Sequence, residues 1–397
     1  MKKFVVFLLC FTILFALPVR AQKICEEEID LTPLPAVPTA AQGEIIDISA
    51  VSAILIEPST GKVLYENNSD EKSPPASITK VMSLILVMEA IEKGQLSYDT
   101  VLSCSDTAAA LGGSQIWLEP GEQMSVHDLI KAVAVVSAND ATVLLAEAVA
   151  GSEESFVVLM NEKAQSLGMN NTHFANSTGL DSENHYSSAH DVAIMSAELL
   201  KHKKITEYTT IWMDSLRNGE SELVSTNKLV RFYEGCTGLK TGTTSSAGYC
   251  LSASAERDGL SLVAVIMGAD TSANRFSGAQ KLLNYGFAHF CNVEVVPEIG
   301  EDRSVKIKKG TVRSVNVKAE ENFYAIIKKN EKDKITTELI IPEEVEAPVK
   351  KGDKIGEVSI RLDGEEIGSA AVIAQDGADR INLWRSFVIL LKYLFAL

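Results

Sequence analysis

Three textures of apolar and polar positions follow one another along the chain. Ala53 to Glu57 and Lys62 to Glu66 are apolar-rich runs separated by Pro58-Ser59-Thr60-Gly61, the pattern of a β-hairpin with a tight turn. From there to about residue 205 the spacing is helical and alanine-rich. Val81 to Lys93 carries Met82, Leu84, Ile85, Leu86, Val87, Met88 and Ile91, and Gly94 ends it. A helix apolar almost all round is predicted to be buried. Ser73 suits its N-cap and Pro74 its first position. Ser125 with Asp128 reads as a capping box for Val126 to Val136, and Ala141 to Ala150 and Glu154 to Leu167 read as further helices ended by Gly151 and Gly168. Leu223 to Tyr233 reads as extended. Strand signals return at Thr237 to Thr241, Gly248 to Ala255 and Leu260 to Gly268, before a helix over Asn274 to Phe290.

From about 295 the texture changes to short alternating runs. These are Val305 to Lys308, Val312 to Val317, Tyr324 to Lys328, Thr336 to Ile341, Ile355 to Ile360 and Ser369 to Ala374, punctuated by Gly310, Pro342, Gly352 and Gly364. They predict a small all-β sandwich. Strands at 53–66 and 237–268 bracket a helical block, so the larger unit is expected to be α+β, an antiparallel sheet built from both ends with helices inserted between. The expected division is 1–21 signal peptide, 22–44 flexible lead-in, 45–292 catalytic domain, 293–376 β-sandwich and 377–397 amphipathic helix.

Both chain ends bear on location. Lys2 and Lys3, the apolar run Phe4 to Leu17 and Val19-Arg20-Ala21 make a secretory signal, too short for a spanning anchor. Its removal takes three basic residues and no acidic one, so the formal charge falls from −16 to −19. So acidic a chain is a poor partner for nucleic acid. The tail Ile381 to Leu397 is apolar, with Asn382, Arg385, Ser386 and Lys392 near one helical face. It reads as an amphipathic helix lying in a membrane surface, the alternative being a helix docked on its own domain.

The chemistry-bearing residues fall in three short motifs. In Ser77-Ile78-Thr79-Lys80 the hydroxyl and the amine are one helical turn apart on one face. Burial disfavours the charged lysine, and a neutral amine can take the serine proton. Ser137-Ala138-Asn139 lies between two helices; Ser137 offers a proton-relaying hydroxyl and Asn139 an amide for a carbonyl or the lysine, although for this triplet alone a helix cap by Asn139-Asp140 is the favoured reading. Lys240-Thr241-Gly242-Thr243 lies on the first returning strand, where a lysine charge and a threonine hydroxyl suit an anionic substrate group and a glycine allows close approach. The five cysteines after the signal, Cys25, Cys104, Cys236, Cys250 and Cys291, form neither a disulfide framework nor a metal cluster with histidine, although Cys236 and Cys250 flank a hairpin and are candidates for one bridge.

Taken together, S-x-x-K, S-x-N and K-T-G resemble the penicillin-recognising serine enzymes. More closely, the chain resembles the low-molecular-mass penicillin-binding proteins that act as serine-type D-alanyl-D-alanine carboxypeptidases. The supporting stretches are Pro75 to Lys80, Ser137 to Ala141, Phe174 to Leu180, Gly238 to Thr243 with Ala247-Gly248-Tyr249, and Arg275 before Lys281 to Phe287. The resemblance covers about 45 to 292 strongly. It implies Ser77 as nucleophile, Lys80 as base, Ser137 as proton relay and Asn139 as positioner. It further implies Lys240 and Thr241 as holders of the peptide's terminal carboxylate with Arg275 supporting, and the backbone N–H groups of Ser77 and Thr243 as oxyanion donors. The implied reaction removes the terminal D-alanine of a peptidoglycan stem peptide through an acyl-enzyme, without metal or cofactor, and β-lactams would acylate Ser77. The implied location is the outer face of the cytoplasmic membrane. A class A β-lactamase would need a Glu-x-x-Leu-Asn loop between Asn139 and Lys240, and the sequence has none. A cross-link endopeptidase and a non-catalytic β-lactam sensor are the remaining alternatives.

Overall fold

A computed structural model describes residues 31–41, 45–300, 303–382, 384, 387, 388, 390 and 391. The signal sequence, Cys25 and the greater part of the tail lie outside these residues.

The hairpin forms as expected: β1 (Ser52–Glu57) and β2 (Lys62–Asn67) pair antiparallel around the Pro58–Gly61 turn. The helix after it starts later than the sequence suggests. Ser73 caps nothing; its backbone makes a two-way bridge with Ser187, and a 3-10 turn over Ala76–Thr79 leads into α1 (Lys80–Glu92). A partner distant in sequence thus outcompetes the local cap.

Next come β3 (Val101–Ser103), α2 (Asp106–Ala109) and β4 (Gln123–Ser125), then α3 (Val126–Val136), whose cap is the Ser125–Asp128 pair. The block continues with α4 (Asn139–Ala150), α5 (Glu153–Ser166), α6 (Ala189–Lys201) and the short α7 (Thr206–Thr209). The stretch expected to be extended is only partly so: a small hairpin, β5 (Met213–Leu216) with β6 (Ser221–Val224), gives way to α8 (Leu229–Phe232). Asn227 accepts from the Leu229 N–H through its side chain and starts that turn.

β7 (Cys236–Thr244), β8 (Gly248–Arg257) and β9 (Leu260–Ala269) return to the first hairpin, giving an antiparallel sheet in the order β2-β1-β9-β8-β7. α9 (Ser272–His289) closes the unit. The central strands are covered on both faces, which is why they read as continuous apolar runs. Ile54, Ile56, Val263, Val265 and Met267 face the helical block, while Leu55, Leu262, Ala264 and Ile266 face Phe276, Leu282 and Leu283 of α9.

One expectation needs correction here. Cys236 and Cys250 are both free thiols, because the β7–β8 register sets Cys236 opposite Ala255 and Cys250 opposite Gly242. The described part of the lead-in, 31–41, lies against α9: Asn284 donates to the Val37 carbonyl, His289 bonds the Ala40 carbonyl, and Leu34 and Ala40 join the apolar cluster.

The chain then becomes all-β. Phe290, expected to end the helix, instead opens β10 (Phe290–Val295). After it come β11 (Ser304–Lys308), β12 (Ser314–Ala319), β13 (Phe323–Lys328), β14 (Ile335–Ile340), β15 (Glu344–Glu346), β16 (Lys354–Leu362) and β17 (Glu365–Ala374). Six of these form a sheet in the order β14-β16-β17-β12-β11-β15, and β10 pairs with β13. Val293, Val295 and Phe323 of that pair pack on Ile360 and Ala370 of the larger sheet, giving two layers. No described helix is long and apolar enough to cross a membrane.

Candidate active site

Within Pro75–Met88 every residue is buried except Ser77. The apolar packing of α1 therefore leaves one hydroxyl facing outward from an otherwise closed segment. The preceding Ala76 has φ 48°, a conformation that costs an L-residue energy and that turns the chain sharply into the 3-10 turn.

Lys80, fully buried, donates to Ser77 Oγ at 2.9 Å and to the Thr178 carbonyl at 2.7 Å. That carbonyl belongs to a loop, Ala175 to Asp181, gripped from several directions. Glu153 accepts from both the N–H and the hydroxyl of Ser177, Ser83 donates to the Ser177 carbonyl, and Asn176 Oδ1 accepts from the N–H groups of Thr178 and Gly179. Gly179 has φ +87°, and a Cβ there would fall 1.9 Å from the Ala76 carbonyl oxygen, so only glycine fits. Asp181 accepts from Thr244 Oγ1 at 2.7 Å and also from the Ser246 hydroxyl, tying this loop to the β7–β8 turn.

The second motif occupies the α3–α4 junction. Ser137 ends α3 in the left-handed region, φ 65°, with its hydroxyl oxygen buried and unpartnered among the described residues. The cap reading of Asn139-Asp140 does not hold: Ala138 is the capping residue and Asn139 is already helical. Asn139 donates to the Gly112 carbonyl at 2.7 Å, and the Asp140 carboxylate accepts from the N–H groups of Ile116 and Leu118. Together they fasten the 112–118 loop beside the motif. Burial pushes the Asp140 carboxyl above its usual range, against the backbone donors that lower it.

The third motif is the central part of β7. Lys240 and Thr241 are buried, Gly242 is buried and Thr243 is half-buried. A Cβ on Gly242 would sit 2.9 Å from the Ser77 nitrogen and 3.0 Å from the Pro75 carbonyl oxygen. Strand and nucleophile turn therefore meet main chain to main chain. Thr226 links the motifs from the other side, its N–H donating to the Val135 carbonyl and its hydroxyl bonding Thr241 Oγ1 at 2.6 Å. Arg275, fully buried on α9, donates to Thr243 Oγ1 at 2.9 Å and to the Gly242 carbonyl, and lies over the Tyr249 ring. The first and third motifs, far apart in sequence, thus meet at Ser77, and Thr226 ties the strand of the third to the end of α3, beside Ser137.

Residues 37–271 match the D-alanyl-D-alanine carboxypeptidase family, peptidase S11. The D-alanyl-D-alanine carboxypeptidase DacF of Bacillus subtilis is 42% identical over 82% of this chain and 85% of its own. This chain belongs to the D-alanyl-D-alanine carboxypeptidase family. Residues 295–379 match the C-terminal domain of penicillin-binding protein 5. Penicillin-binding protein 5 of Haemophilus influenzae superposes with a TM-score of 0.74 at 31% identity, covering 85% of this chain and 99% of that one. Penicillin-binding protein D2 of Listeria monocytogenes, solved in its ampicillin-bound form, gives 0.57 at 33% identity over 62% of this chain and all of its own. This carboxypeptidase is a serine-type, low-molecular-mass penicillin-binding protein.

Sequence reasoning did not single out Glu153, Asp181 or His185. None lies in a recognisable motif, and each acts through a loop joined to the site only by folding.

Proposed function

We propose that this carboxypeptidase removes the terminal D-alanine from peptidoglycan stem pentapeptides, with Ser77 as the nucleophile. The observation that carries the reading is the 2.9 Å contact between Ser77 Oγ and a lysine amine buried at 0% exposure. A carbonyl acceptor, Thr178 O, takes one N–H of that amine. In its neutral form the amine then has a lone pair to offer the hydroxyl.

The proposed reaction runs through these steps. Lys80 takes the Ser77 proton as Oγ bonds to the carbonyl carbon between the two D-alanines. The backbone N–H groups of Ser77 and Thr243 bear the oxyanion. Ser137 carries the proton to the departing amine, the C–N bond breaks and free D-alanine leaves. Water then enters and gives a proton to Lys80 as its oxygen bonds to the ester carbon; Lys80 returns that proton to Ser77 Oγ as the ester C–O bond breaks, releasing the shortened peptide and restoring the enzyme. Lys240 and Thr241 hold the terminal carboxylate, and Arg275 holds Thr243 in place. A β-lactam takes the substrate's place and leaves a stable ester on Ser77.

Location belongs to the same proposal. The described tail residues Trp384, Phe387 and Leu390 are 72%, 54% and 61% exposed, an apolar set not packed into the β-domain. This supports an amphipathic helix lying on the outer face of the cytoplasmic membrane, beneath a β-domain that lifts the site toward the wall. The deciding experiment measures D-alanine release from a stem pentapeptide, alongside cleavage of a cross-linked dimer. Wild-type protein is expected to release D-alanine and Ser77→Ala none. Cross-link cleavage without D-alanine release would overturn the substrate assignment.

A further inference from the structure

His185 has no place in the three motifs, yet it sits between two of the parts that hold Lys80. Its ring is buried in the segment after the Thr178 loop and lies edge-on to Phe174 at 5.8 Å. The N–H of Ala175 donates to His185 Nδ1 at 3.1 Å. Nδ1 is therefore the acceptor, so Nε2 carries the hydrogen and donates to Thr79 Oγ1 at 2.7 Å. Thr79 is the residue immediately before Lys80, and Ala175 lies three residues before Thr178. A closed ring of contacts results. It runs from Lys80 to the Thr178 carbonyl, back along the loop to Ala175, through the imidazole to Thr79, and so to Lys80 again.

We propose that His185 is a positioning residue for catalysis. As a neutral imidazole it fixes the Thr178 carbonyl against the Lys80 amine, and so aims the lysine lone pair at Ser77. The inference rests on the assignment of Ser77 and Lys80 above. The rigidity of the ring matters, because only a flat spacer with an acceptor on one edge and a donor on the other satisfies both ties at once. Protonation would turn Nδ1 into a second donor facing the Ala175 N–H, and the tie would break. The surroundings hold the ring neutral. Burial lowers its pKa first and His173 next, Asp181 opposes them, and Lys80 adds a further lowering, leaving a value of about 4.

The test uses the full-length protein and a chromogenic penicillin, with acylation of Ser77 followed by stopped flow. His185→Phe fills the same space and severs both ties. The acylation rate constant is expected to fall on the order of 10²-fold, the cost of a misplaced reacting group, while the noncovalent dissociation constant changes less than twofold. His185→Asn restores an acceptor to the Ala175 N–H and is expected to recover a large part of the loss. Nitrogen-correlated NMR of the wild-type imidazole is expected to show the Nε2–H tautomer with no titration from pH 5.5 to 8. His185→Phe acylating at the wild-type rate would overturn the proposal. So would equal losses in both variants, or an Nδ1–H or charged ring. If His185→Phe does not fold, the His185→Asn rate and the tautomer decide. Wild-type protein that fails to label at Ser77 would instead sink the underlying assignment, so the two failures are distinguishable.

Discussion

Ser77 is the one half-buried position in an otherwise buried segment, and Lys80 beside it is fully buried, the contrast on which the proposed roles of nucleophile and base rest. Ser77→Ala is therefore expected to abolish covalent penicillin labelling, read by mass spectrometry, without a loss of melting temperature. On the proposed role of Lys240 as partner of the substrate carboxylate, Lys240→Ala is expected to weaken penicillin affinity roughly 10- to 100-fold while Ser77 still acylates at saturation. Unchanged affinity would reassign Lys240. His185 carries a linked expectation for stability. Its ordinary value of 6.5 falls to about 4 in the fold, so its contribution is fully present above pH 6.5 and is lost as pH falls toward 4. Its full size is roughly 3 kcal/mol. Urea unfolding at pH 7 and pH 4.5 is expected to show a smaller acid-induced loss in His185→Phe than in wild type; parallel losses would mean that the ring is not held neutral.

At the scale of elements, local signals were readable and distant ones were not. The Ser125–Asp128 cap and the Gly151 and Gly168 stops lie within a turn of what they control, so composition alone announces them. Ser73 looked like a cap by the same criteria, but its backbone is taken by Ser187. Leu223 to Tyr233 mixes a strand with a helical turn, and an average over the stretch hides both. The three motifs were visible as residue types, whereas the loop that supplies Thr178 is shaped by Glu153 and His185, whose roles exist only after folding. That loop gives a sharp prediction. Gly179→Ala places a methyl on the Ala76 carbonyl in a left-handed conformation. It is expected to cost on the order of 1–3 kcal/mol in stability and to slow acylation more than tenfold. A variant with wild-type acylation would show that the loop has room to move.

At the scale of the whole molecule, the apolar tail and the acidic body call for different surroundings. The chain carries a formal charge of −16 and would be repelled by anionic lipid, so the proposed membrane attachment requires the exposed apolar residues of the tail, such as Trp384 and Phe387, to outweigh that repulsion. Deleting 381–397 is expected to leave active protein in the supernatant after ultracentrifugation of membranes; a truncated protein that still pellets would remove the tail from the account. The close meeting of β7 with the nucleophile turn has a longer-term consequence. Gly179 and Gly242 both press bare backbone against the turn that carries Ser77, so neither position has room for a side chain while that turn stays where it is. Under antibiotic selection, heritable resistance in this enzyme is expected to leave both glycines untouched, because a side chain at either would displace the nucleophile turn that its own substrate needs.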